Sequence, residues 1–65
     1  MNLALALHAQ ERMVEKGITR QQVIGTIKRG SKVVQTDGFL ASFGYVKVAY
    51  AVKGDNYIVK TVMLR

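Results

Sequence analysis

The chain has 65 residues with ten Lys or Arg against four Asp or Glu, a formal charge of +6, and neither Cys nor Pro. That length holds one domain spanning 1–65, and a domain of this size buries only ~60% of its unfolded surface, so its margin of stability is thin. Without Cys there is no disulfide and no thiolate for zinc or an iron–sulfur cluster, and 49% hydrophobic residues are too many for a disordered tail.

The basic balance favours acidic partners: nucleic acid, an acidic protein or an anionic membrane. Small scaffolds without covalent staples often oligomerise, so a homodimer is an expectation. The run Met1 to Leu7 resembles a secretory leader briefly, but it lacks a basic start and ends at His8 before an apolar segment is complete. No stretch approaches the ~20 apolar residues of a membrane span. A cytoplasmic chain with no membrane partner is expected.

The first predicted helix runs from about Leu3 to Lys16, with Leu3, Ala6, Leu7, Met13 and Val14 gathered on one side. Gly17 is its stop. Gln10 interrupts the stripe and is expected to hydrogen-bond at the rim of the core. Thr19-Arg20-Gln21-Gln22 is a capping box, flanked by Ile18 and Val23 as a hydrophobic staple. A second helix over Arg20 to Arg29 is predicted to bury Val23, Ile24 and Ile27 and to stop at Gly30, with Lys28 and Arg29 in the last turn, where the helix dipole favours cations.

The period then changes to two. A strand over Lys32 to Thr36 is predicted, then a type I′ turn at Asp37-Gly38 and a strand over Phe39 to Phe43. Gly44-Tyr45 turns the chain into a third strand, Val46 to Lys53, with Val46, Val48, Tyr50 and Val52 on one face. Gly54-Asp55-Asn56 leads to a fourth, Tyr57 to Leu64. The expected fold is α+β: two N-terminal helices packed on one face of a four-stranded antiparallel sheet. The last strand is apolar on both sides, with Ile58, Val62 and Leu64 alternating with Tyr57, Val59 and Met63. A sheet with one solvated face should alternate more cleanly, so a partner, or a second copy, is expected on the second sheet face.

His8, Glu11, Arg12 and Glu15 share one side of the first helix. His8 and Arg12, one turn apart, could offer a proton-transfer group beside a positive fork to a phosphate. The same residues also fit a solvated face with Arg12–Glu15 and His8–Glu11 pairs. Lys47, Lys53, Lys60, Arg65 and Tyr45 are candidate nucleic-acid contacts, because aromatics among cations on a sheet stack bases and hold phosphates. Tyr50 shares its face with three valines and reads as core, while Tyr45 and Tyr57 flank turns. Four scattered acids make a poor two-metal site and a lone His a poor zinc site. Ser31 and Ser42 lack a base and orienting acid, and no Gly-rich strand-to-helix loop cradles a nucleotide. No metal and no cofactor is expected. Metal-free RNA cleavage survives this exclusion, since His, Tyr, Lys and Arg can supply its base, acid and charge stabilisation.

The stretch His8-Ala9-Gln10-Glu11-Arg12-Met13, then Gly17-Ile18-Thr19, and the closing Ile58-Val59-Lys60-Thr61-Val62 resemble a family of small prokaryotic domains of unknown function. Those domains open with His-Ala-x-x-Arg-Met and Gly-Ile and run into a four-stranded sheet. The family is similar in layout to RelE-like and BrnT-like toxins, which cleave RNA without metal and are neutralised by an antitoxin. The resemblance implies a RelE-like layout, and RNA and an acidic antitoxin as partners. It implies catalytic roles for His8 (proton transfer), Arg12 (phosphate clamp) and Thr61, with Lys47, Lys60 or Arg65 adding charge. The chain departs from RelE-like toxins in its shorter length and in the tight turn at Gly44-Tyr45, which leaves little room for a substrate loop. A non-catalytic module that binds nucleic acid or an acidic protein is the alternative reading.

Overall fold

The computed structural model describes residues 1–65. In chain order the elements are β1 (Asn2–Leu5), α1 (Leu7–Lys16), α2 (Arg20–Arg29), β2 (Ser31–Gln35), β3 (Gly38–Phe43), β4 (Val46–Lys53) and β5 (Asn56–Leu64). They form two helices and one mixed sheet in the order β1-β5-β4-β3-β2. The strands β2 to β5 are the expected antiparallel meander, and β1 adds a fifth strand running parallel to β5. The α+β class therefore holds, and four antiparallel strands are corrected to five in a mixed sheet.

The helix expected from Leu3 begins instead at Leu7. Leu3-Ala4-Leu5 fits both a helical and a strand period, so pattern alone cannot decide so short a stretch. The open edge of β5 decides it. The Asn2 N–H donates to the Asp55 carbonyl at 3.1 Å and the Ala6 N–H to the Val59 carbonyl at 3.0 Å. Leu3 and Leu5 then pack against the core while Ala4 points the other way. With Leu3 and Ala6 outside the helix, the expected stripe is lost. Ala9 is fully buried and Met13 packs beside it, whereas Leu7 and Val14 are 73% and 84% exposed. The small Ala9 side chain lets α1 lie close on β5.

The joint between the helices forms as its residues dictate. Gly17 takes a left-handed φ of 67°, and N–H groups at the cap return to the Met13 and Val14 carbonyls. Gln10 Nε2 donates to the Leu5 carbonyl at 2.9 Å, at the rim as expected. The Thr19 N–H donates to Gln22 Oε1 at 2.7 Å and the Gln22 N–H to Thr19 Oγ1 at 3.1 Å, completing the capping box. Ile18 and Val23 are both buried around it. α2 buries Val23, Thr26 and Ile27, while Ile24 is only half-buried. The Thr26 hydroxyl is satisfied by donating to the Gln22 carbonyl at 2.7 Å.

The first hairpin is shifted by one residue from the expected register. Gln35 pairs with Gly38, so Thr36-Asp37 is the turn and β2 begins at Ser31. A type I′ turn needs positive φ at both central residues, and no residue other than glycine has positive φ. Gly38 serves a different need: with φ 151°, a Cβ there would run into the Tyr50 carbonyl oxygen of the neighbouring strand. The Gly44-Tyr45 and Gly54-Asp55 turns fall where expected.

A bulge resolves the double-sided apolarity of β5. Ala49 pairs with Thr61 and Tyr50 with Val59, leaving Lys60 as an extra residue. Strict alternation would put Val59 and Val62 on opposite faces. The extra residue puts both on the helix side, opposite Tyr50 and Val48, and all four are buried. Tyr57 belongs to the same face and lies 5.9 Å from Tyr50, which stacks on Phe39 at 5.5 Å. Both helices cover this one face: α1 lies on β5, and α2 on β3 and β4.

Candidate functional site: the open sheet face

The other face of the sheet is covered by nothing in the chain. The strand register sets Val33, Leu40, Ala49 and Thr61 in one row across it, with Ala51, Ile58 and Ala4 in the next. Ser42, Lys47 and Met63 form a third row. Lys53 shares the face of Lys47, and the bulged Lys60 projects to the same side. None of the four acids lies here, because Glu11 and Glu15 are on α1 and Asp37 and Asp55 are in turns. Three lysines therefore share a half-apolar face whose strands carry no acid, with Asp37 at its edge beside Lys60.

Lys60 is the most constrained of the three. Its Nζ donates to the Asp37 carbonyl at 2.7 Å, reaching from β5 to the β2–β3 turn. Small residues on the intervening strands, Ala49 and Gly38, leave a shallow trough of about 170 Å³ beside it. The stem thus packs on the sheet while the charge stays at the surface. Tyr45 is 78% exposed in the β3–β4 turn, and the Arg65 N–H donates to its carbonyl at 2.6 Å. Tyr45 and Arg65 therefore meet at the sheet end nearest Lys47, while Lys53 lies at the opposite end.

The residues implied as catalytic do not converge. His8 is exposed in the first turn of α1. Arg12 is half-buried, with one guanidinium nitrogen 3.9 Å from Glu15 and its Nε buried without a partner. Thr61 pairs with Ala49 on the open face, whereas α1 lies on the covered one, so the sheet stands between Thr61 and the His8–Arg12 pair. Neither His8 nor Arg12 lines a cavity. The three candidate lysines lie on the Thr61 side. No three His, Cys, Asp or Glu side chains come together. Tyr50 is the one titratable group clearly displaced from its ordinary range: burial, and then the charge of Tyr57, raise its pKa above 10.0. It is a core group, as its face-sharing with valines implied.

Sequence reasoning missed one feature altogether. The largest groove, about 720 Å³, lies between α2 and the β3–β4 turn and includes Gly25, Phe43 and Leu64. A glycine inside a helix was the available signal.

The fold and site define a small basic α+β domain with helices on one sheet face and a lysine-bearing face left open. Residues 5–64 match the family described as "Domain of unknown function (DUF4258)", and the chain belongs to that family. No curated protein and no solved structure matches it. No helix is long and apolar enough to cross a membrane.

Proposed function

We propose that the chain is an RNA-binding domain of the RelE-like toxin type, which holds the RNA backbone across its open sheet face. The observation that carries this reading is the gathering of Lys47, Lys53 and Lys60 on one face whose strands carry no acid. Lys47 and Lys53 are six residues apart on one strand, so they mark a track of ~20 Å. Ala49 and Ala51 between them keep it low enough for a strand of RNA to lie close. Tyr45, exposed at one end, offers a ring for base stacking, and Arg65 adds a cation beside it. A homodimer through this face would set lysines against lysines, so a polyanion fits it better than a second copy. An acidic antitoxin would compete with RNA for the same lysines.

The test is binding of a fluorescently labelled single-stranded RNA as a function of salt. Three neutralised phosphates give a log–log slope of about −2, and Lys47→Ala or Lys53→Ala makes it shallower by about 0.7. Binding that is absent, or indifferent to salt, sinks the reading.

Metal-independent cleavage is the second reading. It is favoured by the incompletely partnered Arg12 guanidinium one helical turn from His8. Thr61 has no part in chemistry at that pair, since it lies across the sheet. RNA cleaved in the presence of chelator by the wild type, and left intact by His8→Ala, supports it. Equal cleavage by both removes it.

A further inference from the structure

Gly25, Gly30 and Gly38 differ in what holds them. A Cβ at Gly30 would strike the Thr26 and Ser42 carbonyls, and one at Gly38 the Tyr50 carbonyl. At Gly25, in the middle of α2, an added Cβ would meet nothing within 4 Å. Glycine inside a helix lowers its stability relative to alanine, and here no contact within the chain requires it. Gly25 lines the groove of about 720 Å³ between α2 and the β3–β4 turn. Its missing side chain leaves room for another backbone to approach α2.

The rest of the groove indicates what that backbone carries. Ile18, Phe43, Val46 and Leu64 give it an apolar lining, with Phe43 50% and Leu64 46% exposed. Most polar side chains lining the groove along α2 are already engaged, since Thr19 and Gln22 close the capping box and the Thr26 hydroxyl is bonded to the Gln22 carbonyl, and Gln21 alone among them makes no side-chain hydrogen bond. The engaged groups are poorly placed to read base edges. The charged residues lining the groove are Lys16 and Arg29, with no acid among the lining residues. Lys16 precedes α2 and Arg29 ends it, so they bracket a ten-residue helix of ~15 Å.

We infer that this groove docks an acidic amphipathic helix of a partner protein, its apolar side crossing α2 at Gly25 and its terminal carboxylates meeting Lys16 and Arg29. A helix of about three turns spans that distance, with apolar residues at i, i+3 or i+4, and i+7 between flanking acids. The inference does not rest on the RNA reading, because Lys47, Lys53 and Lys60 do not line the groove, and the two surfaces share only Tyr45 at its rim.

The probe is a fluorescein-labelled synthetic helix of that pattern, leucine on one side and glutamate at the flanks, beside an analogue with lysine for glutamate and a labelled single-stranded RNA. The wild-type chain is expected to bind the glutamate peptide and not its lysine analogue. Gly25→Leu is expected to lower that affinity at least tenfold while its melting temperature stays level or rises, a combination that structural damage cannot produce. Lys16→Glu with Arg29→Glu is expected to reverse the preference between the two peptides. The inference is overturned by no binding of the glutamate peptide, or by equal binding to Gly25→Leu. It also fails if the RNA loses affinity in Gly25→Leu, or if that substitution abolishes a self-association of the wild type, since nucleic acid or a second copy would then be the occupant.

Discussion

On the helix-covered face of the sheet, Val48, Tyr50, Val59 and Val62 are all buried, and on the open face their strand neighbours Ala49, Ala51, Ile58 and Met63 are half-exposed among lysines. The same two strands build both faces. One carries side chains of large volume whose removal leaves cavities. The other carries lysines, alanines and half-exposed apolar side chains such as Ile58 and Met63, whose removal leaves solvent. The covered side thus holds the core, and the open side is the one proposed to meet RNA, so a substitution should disturb stability or RNA binding without the other.

Single-residue deletions in β4 and β5 test this division most severely. Deleting Ala49 turns part of β4 over, putting buried valines on the open side, and the chain is expected to lose its cooperative unfolding transition in urea. Deleting Lys60 removes the bulged residue and leaves Tyr57, Val59, Val62 and Leu64 on the covered face by simple alternation. The fold is therefore expected to survive with a change within about 1 kcal/mol, and RNA affinity to fall as one cation is lost. Equal damage by both deletions would mean that the bulge is required for folding.

Point substitutions come next. Tyr50→Ala, which removes the ring between Phe39 and Tyr57, should cost ~3–5 kcal/mol in denaturant unfolding, while Met63→Ala on the open face should cost under about 1 kcal/mol. Comparable losses would abolish the distinction between the faces.

Alkaline pH probes the covered face through Tyr50, with Tyr50→Phe as the control that separates it from other groups. Tyr50 has a folded pKa raised above 10.0, chiefly by burial. The protonated ring is favoured in the native state, so its stabilising contribution is complete below the unfolded pKa and is lost as pH rises through the folded value. Thermal unfolding followed above pH 10 should show this loss in the wild type and a flatter profile in Tyr50→Phe. Parallel profiles would show that Tyr50 is not the group responsible. The smallest effect is expected at His8. It is exposed, so His8→Ala should leave stability within about 0.5 kcal/mol of wild type by thermal melting.

Much of the fold was legible in the residues because its signals are local. The capping box at Thr19 and Gln22, the Gly17 stop and the covered face of β4 depend on neighbours within a few positions. The candidate site was legible only by residue type. His8, Arg12 and Thr61 are all present, but which side of the sheet each occupies depends on where α1 packs and on the Lys60 bulge. The Leu3 to Ala6 segment shows the limit on secondary structure, because four residues satisfy two periods equally.

By itself, the sequence determined two helices joined at a capped turn, an antiparallel meander, a basic surface and a core built on Val48 and Tyr50. Tertiary structure alone decided that Asn2–Leu5 is a strand, that Val59 and Val62 share a face and that Lys60 joins Lys47 and Lys53, which alternation already set together, on the other. Caps and turns are settled by forces between near neighbours in the chain. Edge pairing, bulges and the gathering of like charges require segments far apart in the chain to meet.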